Sequence, residues 1–502
     1  MLLNDTNLRP EEFTDTGNAA LFHEVFQNNF LYTGKNASRG DWYHWDGQRW
    51  AIDNHAATRC AMQLAKAMLV QAKEQLIDAE AELAKAKIDL TSETARDILE
   101  GNNEAAASIL LDRKAAVKKA QAFVNHATKA NSAKGIESML KLAKGQFYIG
   151  QEVLDHNWSE LNTPGGIVNL ITGTICPHDD VQSRYKYHTK VTNFAPSDTG
   201  MEEWMKFIED ICCGDASLMI YLMMLFGMAC YGKVFEEGVY FAMGSGRNGK
   251  STAVNSIVKV LNDYAGNVSI DVLTSSIANK DPIVSTMKGK RLIVGGEMEE
   301  GRRLSAATVK QISSTDPIMV NPKYLDPITF VPSHTLFLFT NHLPRVDSND
   351  KGTWRRINII PFNAVFQRNI SKPNYADDLV TRCGGAIMKW IIEGAKMFAA
   401  NGFRLDTPDA VAEATEAYQE REDWLQNFLD ECCIIDDDAT IGSQALYEVY
   451  KDWAKANGAF VRRSNEFVQA MKDAGFSQTK PNNRKTWNGV KPAPQIIGRF
   501  YA

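Results

Sequence analysis

Gly244, Ser245, Gly246, Arg247, Asn248, Gly249, Lys250, Ser251 and Thr252 read G-S-G-R-N-G-K-S-T. The spacing G-x-x-x-x-G-K-[ST] is the one in which a strand turns into a helix around a row of phosphates. Its glycines let backbone N–H groups curl inward at a helix start, where the helix dipole favours negative charge. Lys250 has the reach for the outer phosphates, and Ser251 offers a hydroxyl to Mg²⁺. The chemistry expected of this loop is binding of ATP with Mg²⁺, followed by hydrolysis.

Holding phosphates breaks no bond, so a carboxylate must help to hold the metal and polarise the attacking water. The apolar run R-L-I-V-G-G is followed by Glu297, with Glu299 and Glu300 just beyond. Glu297 is the first choice for that carboxylate and metal ligand, and Glu299 the second; a solvated acidic turn is the plainer alternative. A third run, Thr335 to Thr340, delivers Asn341. An uncharged amide there can hydrogen-bond both the outermost phosphate and the lytic water, although asparagine at a strand end is also a common turn former. Beyond it, T-W-R-R-I-N-I-I-P-F carries Arg355 and Arg356. An arginine that reaches a neighbouring subunit's site can stabilise charge on the transferred phosphoryl group. Arg356 is preferred over Arg355 for this, against a pair that bonds locally at the surface.

These residues need a scaffold, and the surrounding pattern supplies one. From Gly238 to Phe362, short apolar runs alternate with helical or polar stretches, the signature of an α/β sheet. Upstream, D-W-Y-H-W-D-G-Q-R-W places aromatic residues on both sides of Asp46-Gly47, a tight hairpin whose tryptophans suit buried packing better than base stacking. Ala56 to Gly145 is rich in Ala, Lys, Glu, Gln and Leu at helical intervals, and predicts long helices broken near Gly101-Asn102-Asn103. L-N-T-P-G-G-I-V-N-L-I-T-G-T from Leu161 predicts a small β element, and Glu202 to Tyr231 an apolar helical segment beneath the sheet. A helical stretch runs from about Ala376 to Trp424. Helical spacing returns in Gln444 to Ala456 and Ser464 to Ala474, before the basic turn N-N-R-K-T-W-N-G-V-K.

A chain of 502 residues with 44% apolar content exceeds what one core organises. Its net charge of -6 argues against coating DNA by bulk charge, so contact with nucleic acid has to come from local basic residues. The eight cysteines include no C-x-x-C and no zinc spacing, which reads as reduced thiols. No apolar run approaches the ~20 residues of a bilayer span, and the first residues lack the order of a signal peptide. A cytoplasmic protein with no membrane partner is expected.

The order of these motifs resembles the superfamily 3 helicases, and within them the phage, plasmid and poxvirus primase-helicase branch. G-S-G-R-N-G-K-S-T is similar to that branch's Walker A loop. R-L-I-V-G-G-E-M-E-E is similar to its Walker B strand, and L-F-L-F-T-N-H-L-P-R-V with W-R-R-I-N-I-I-P-F to its sensor and arginine-finger segments. A-T-V-K-Q-I-S-S-T-D-P-I-M-V-N-P-K-Y resembles the extra motif of this superfamily, which runs into a β-hairpin facing the channel of a hexameric ring. The resemblance implies Lys323 as the lysine that touches DNA there and Lys310 as the earlier basic residue. Where the family carries Gly-Gly before the aspartate, this chain has Ser314-Thr315 ahead of Asp316.

The resemblance further implies an α/β fold with a P-loop AAA+-like motor, a mostly helical amino-terminal domain and a small carboxy-terminal winged-helix domain. The expected division is 1–200 with a helical insertion at about 56–145, a motor at 201–375, a helical extension at 376–424 and a winged helix at 425–502. In the last, Arg484, Lys485 and Trp487 sit in a wing that contacts duplex phosphates or serves structure alone. No primase domain is expected. Implied partners are single-stranded or forked DNA, further copies of the chain in a hexamer, and a separate primase or polymerase, in a bacterial cytoplasm if the system is phage or plasmid encoded. Two other functions share the nucleotide chemistry: a ring ATPase that packages DNA or remodels proteins, and an origin-binding initiator or loader switched by ATP.

Overall fold

A computed structural model of the chain describes residues 6–36, 39–89, 103–274, 280–296, 302–323, 326–346, 350–366, 374–457, 461–479 and 485–494. The chain divides into two units. One comprises Met1–Trp158, Asn162–Val168 and Ile175–Val191; the other Ser159–Leu161, Asn169–Thr174 and Thr192–Ala502.

In the first unit, the helix Asp15–Phe26 starts where Thr14 accepts a hydrogen bond from the Gly17 N–H. An antiparallel meander follows, β1 (Phe30–Asn36), β2 (Arg39–Trp45) and β3 (Trp50–Ile52). Trp45 stands opposite Trp50, and the turn between them uses Gly47 at φ 105° and the Asp46 carboxylate, which accepts from the Gln48 and Arg49 N–H groups at 2.9 Å. Trp42, Trp45 and Trp50 are buried, as core packing requires. The helices Asn54–Asp89, Asn103–Ala130 and Ala133–Ala143 come next. Ala57, Ala61, Ala65 and Ala72 bring the first of them close to Phe123, Ala127 and Ala130 of the second in a shared core. Gly101 and Asn102, where a break is expected, lie outside the described residues, and the second helix starts at Asn103. Then come β4 (Glu160–Thr163), β5 (Gly166–Asn169) and β6 (Ile175–Cys176), the last two pairing antiparallel with Ile167 opposite Cys176.

The second unit is built on a parallel sheet of β7 (Val239–Met243), β8 (Ala265–Asn267), β9 (Leu292–Gly296), β12 (Thr335–Thr340) and β13 (Ile357–Pro361), in the order β13-β7-β12-β9-β8. Between β9 and β12 the chain forms the helix Ala306–Ile312 and an antiparallel hairpin of β10 (Ile318–Val320) and β11 (Ile328–Phe330). The four apolar runs of the sequence are four of the five sheet strands, buried on both faces as parallel strands are. The edge strand β8 is the one that sequence pattern misses: A-G-N is too short and too polar to show.

One face is covered by the helices Ala216–Ala229 and Tyr375–Ala400. Phe226 meets Phe337 of β12 with ring centroids 4.9 Å apart. The two helices touch backbone to backbone: a Cβ on Gly394 would stand 1.9 Å from the Met223 carbonyl oxygen, and one on Gly227 2.1 Å from the Ala395 nitrogen. The helix Asp409–Glu422 lies along β13. The chain then makes a helix Trp424–Cys432, β14 (Cys433–Gly442), helices Ser443–Ala456 and Ser464–Asp473, β15 (Gln478–Thr479) and β16 (Thr486–Pro492), with sheet order β14-β16-β15. Phe428, Tyr450, Phe467 and Trp487 are fully buried in a core of their own. The result is a mixed α/β chain with a parallel five-stranded sheet. Among the described residues no single helix is long and apolar enough to cross a membrane.

Candidate functional site

Parallel register aligns the carboxyl ends of three neighbouring strands. Thr340 stands opposite Met243 and Phe339 opposite Gly296. The glycine-rich loop after β7, Asn341 after β12 and the carboxyl end of β9 therefore share one edge of the sheet. This edge is where open α/β sheets bind ligands.

The loop is held in shape by left-handed residues and by bracing from behind. Gly246 (φ 98°), Arg247 (φ 51°) and Gly249 (φ 79°) turn the backbone into the helix Lys250–Leu261. A Cβ on Gly249 would come within 2.4 Å of Ile211 Cγ2 and 3.4 Å of Phe366 Cε2. The Asn248 side chain, 3% exposed, donates to the Phe362 carbonyl at 3.2 Å, and the Phe366 N–H donates to the Arg247 carbonyl at 2.9 Å. Ile211, Phe362 and Phe366 brace the loop, a placement the sequence does not announce, since each reaches the loop only through the fold.

In front of the loop lies a cavity of about 250 Å³, lined by Gly246 to Thr252 and by Phe339, Thr340 and Asn341. Lys250 is 4% exposed and donates from Nζ to the Gly244 carbonyl at 2.5 Å and to Asn341 Oδ1 at 3.1 Å. Both acceptors are neutral, and burial lowers the pKa of the ammonium. An anion in the cavity would supply the counter-charge that these oxygens lack. The Ser251 residue is exposed at the same place, and the Thr340 hydroxyl fixes the turn after β12 by donating to the His342 carbonyl at 2.8 Å. Gly296 leaves room for the Phe339 ring, whose Cζ would lie 2.4 Å from a Cβ there. Glu297 and Glu299 lie outside the described residues. Among the described residues no cluster of three or more metal-binding side chains occurs.

Arg355 and Arg356 sit at the other end of the sheet. Ile357 stands opposite Val239 and Pro361 opposite Met243, so the arginines precede the amino end of β13, a strand's length from the loop. At ~3.3 Å per residue that is roughly 15 Å, too far to serve the same chain's cavity. The Arg356 side chain is 8% exposed, donates to the Gly352 carbonyl at 2.6 Å, and pairs with the Glu237 carboxylate. Arg355 shares the same Glu237 oxygen at 3.0 Å, but its side chain is 67% exposed. The sequence preference for Arg356 therefore meets a buried side chain spent on local bonds, while Arg355 is the one presented outward. Glu237 is a further residue without a sequence signal.

Lys323 is exposed in the connection between β10 and β11. Lys310 is elsewhere, on the helix Ala306–Ile312, with Nζ 2.7 and 2.9 Å from the two oxygens of Asp350. Desolvation pushes the Asp350 pKa up, but hydrogen bonds from Lys310 and Thr353 outweigh it and hold the carboxyl below its ordinary value. At Ser314-Thr315 the Ser314 hydroxyl accepts from the Asp316 N–H at 2.9 Å, and no residue from Ser313 to Asp316 has positive φ. This turn has no need of glycine. In the last module, Lys485 is exposed where its carbonyl accepts from the Ser443 N–H at 2.9 Å, Trp487 is fully buried, and Arg484 lies outside the described residues.

Fold and site together define a mixed α/β chain whose polar residues gather along the carboxyl edge of a parallel sheet. Residues 19–213 match a family described as D5 N terminal like, and residues 242–356 match a family of unknown function. A protein of Acanthamoeba polyphaga mimivirus named as a candidate helicase is 26% identical over 332 residues, covering 61% of this chain and 34% of that protein. An African swine fever virus protein named as a candidate primase is 21% identical over 369 residues, covering 68% and 38%. These matches relate the chain to D5-like primase-helicases. The chain spans between a third and two fifths of the length of these relatives. Among solved structures, the apo C-terminal region of NrS-1 is similar over 59% of this chain and 78% of that one, at 13% identity and a TM-score of 0.35.

Proposed function

We propose that the chain is the motor of an ATP-driven replicative DNA helicase of the superfamily 3 kind, working as a hexameric ring. The observation that carries this reading is the Lys250 to Asn341 contact at the mouth of the cavity, with the arginine pair at the opposite edge of the sheet. One chain then holds a phosphate-binding half and a separate arginine half. A neighbour completes each.

In this reading the loop N–H groups and Lys250 bind the triphosphate, and the Ser251 hydroxyl with Glu297 holds Mg²⁺. The metal, when bound, neutralises charge between the outer phosphates. Asn341 gives up its bond to Lys250 and orients the attacking water, whose proton Glu297 or Glu299 accepts. Arg355 enters from the adjacent subunit to meet charge developing on the transferred group, while Arg356 and Glu237 hold its base in place. The Lys323 hairpin grips one DNA strand in the channel. The last module has the helix and strand order of a winged helix, and Lys485 on it faces duplex phosphates.

Mixing tests the shared site. Lys250→Ala and Arg355→Ala each lower ATP turnover by roughly 10²-fold or more. Combined, they regain activity, because a Lys250→Ala subunit still lends its arginine to an intact loop. Turnover of the mixture equal to the sum of its parts overturns the shared site. Strand displacement on forked DNA tests the helicase: ATP hydrolysis that displaces no strand points to a packaging or remodelling ring instead. Sequence-specific duplex binding, with slow turnover that ignores single strands, points to an initiator.

A further inference from the structure

The hairpin that carries Lys323 and the segment that carries Arg355 are far apart in sequence, and both are pinned to the same small region of the fold. The connection that carries Lys323 is tied at its start by the Asp281 carboxylate, which accepts from the Asn321 N–H at 2.9 Å and its side-chain amide at 3.3 Å. At the base of the hairpin, the helix Ala306–Ile312 leads into β10 within a few residues. That helix also holds Lys310. Its ammonium reaches Asp350, the residue whose carboxylate caps the helix Lys351–Trp354 by accepting from the Thr353 N–H at 3.1 Å and the Thr353 hydroxyl at 3.0 Å.

The short helix Lys351–Trp354 ends directly in Arg355 and Arg356. Its Gly352 is closed in by the same lysine, since a Cβ there would stand 2.9 Å from Lys310 Cε and 3.1 Å from Nζ. The Gly352 carbonyl in turn accepts from Arg356 at 2.6 Å, and Arg356 shares Glu237 with Arg355. A continuous set of polar contacts therefore runs from the exposed arginine to the helix that launches the hairpin. A lysine meant for DNA would be uncommitted; this one, with its side chain 40% exposed, is held by both oxygens of a carboxylate that also organises the arginine segment.

We propose that the Lys310–Asp350 ion pair is the link through which engagement of Arg355 by a neighbouring subunit's nucleotide moves the Lys323 hairpin. Lys310 is thereby a positioning residue and not a DNA ligand. The inference rests on the helicase reading above, and assigns coupling within it.

The full-length chain, forked DNA and ATP provide the test, with Lys310→Met, Asp350→Asn and the double variant compared. Asparagine keeps one side-chain oxygen for capping the Thr353 N–H and presents an amide that the Thr353 hydroxyl can accept from, while the ion pair is lost. Each single variant loses roughly fivefold or more of the DNA-stimulated part of ATP turnover, and the double loses no more than either, the non-additivity of residues acting as one unit. DNA affinity and its salt dependence stay at the native value in Asp350→Asn and in Lys310→Met. If Lys310→Met weakens DNA binding and flattens its salt dependence while Asp350→Asn changes nothing, Lys310 is a phosphate contact and the link is wrong. Additive losses overturn it equally. A native chain whose turnover ignores DNA overturns the helicase reading and the link with it. A native chain that is stimulated, with both variants as responsive, overturns the link alone.

Discussion

Gly249 carries two separable constraints, and replacing it by alanine measures both. Its φ of 79° lies in the left-handed region, where a Cβ costs about 1–2 kcal/mol. The same Cβ would stand 2.4 Å from Ile211 Cγ2, and forcing a methyl group into a packed site costs about 1–3 kcal/mol. The loop escapes both costs by leaving the shape that surrounds the phosphates. Binding must then recover that shape from a minor population, so the penalty of about 3 kcal/mol appears as roughly 150-fold weaker ATP affinity. Calorimetric titration with a non-hydrolysable ATP analogue and Mg²⁺ reads this directly. Removing the collision in an Ile211→Ala background leaves only the backbone strain, and Gly249→Ala there weakens binding by roughly 5- to 30-fold. Affinity is the quantity to compare, because Ile211→Ala alone opens a cavity costing about 2–5 kcal/mol of stability. Gly249→Ala binding within threefold of native refutes the account of the loop. The same penalty with and without Ile211 refutes the collision.

Two further outcomes concern stability. His334 is buried and donates from Nε2 to the Ile312 carbonyl at 3.1 Å, and burial lowers its pKa to about 4, against an ordinary 6.5. Between those values the unfolded chain takes up a proton that the folded one refuses, so stability falls as pH drops from 6.5 towards 4. Urea midpoints of the native chain should show a loss of roughly 2 kcal/mol by pH 5, absent from His334→Gln; equal acid sensitivity of the two would assign the effect elsewhere. Gly394→Ala sets a methyl group against a carbonyl of the adjacent helix, which only a movement of that helix can relieve. The collision outweighs the ~1 kcal/mol of helix propensity gained, and a net loss of about 2 kcal/mol lowers Tm by roughly 3 °C in a scanning calorimeter, given the size of this unit. An unchanged or raised Tm would show that the helices separate freely.

What sequence discloses here is what depends on neighbours in the chain. The loop from Gly244 to Thr252, the strands from Val239, Leu292, Thr335 and Ile357, and the tryptophan hairpin at Asp46-Gly47 all stand where local pattern puts them, because a strand, a turn or a helix start is decided by a handful of consecutive residues. The bonds between distant segments are not written locally. Nothing around Glu237 marks it as the partner of two arginines far downstream, and nothing in T-W-R-R tells which arginine the fold buries. Lys310 reads as a basic residue in a DNA motif until Asp350 is placed against it. Ser314-Thr315 looks like a departure from a glycine turn, yet the backbone never enters the region where glycine is required.

Strand order has a consequence for how the protein is made. β7, which bears the phosphate loop, pairs with β12 and β13, both far downstream, whereas its successors β8 and β9 pair with each other. A nascent chain can join β8 to β9 early, but the loop has no sheet to grow from until Thr340, the end of β12, has cleared the ribosome. At about 5–20 residues per second, that interval is on the order of ten seconds. During it an apolar strand and the apolar helix before it, Ala216–Ala229, stand without their partners. Long-range parallel pairing is slow as well as late, so this stretch is where a chaperone would be needed and where truncated products would aggregate.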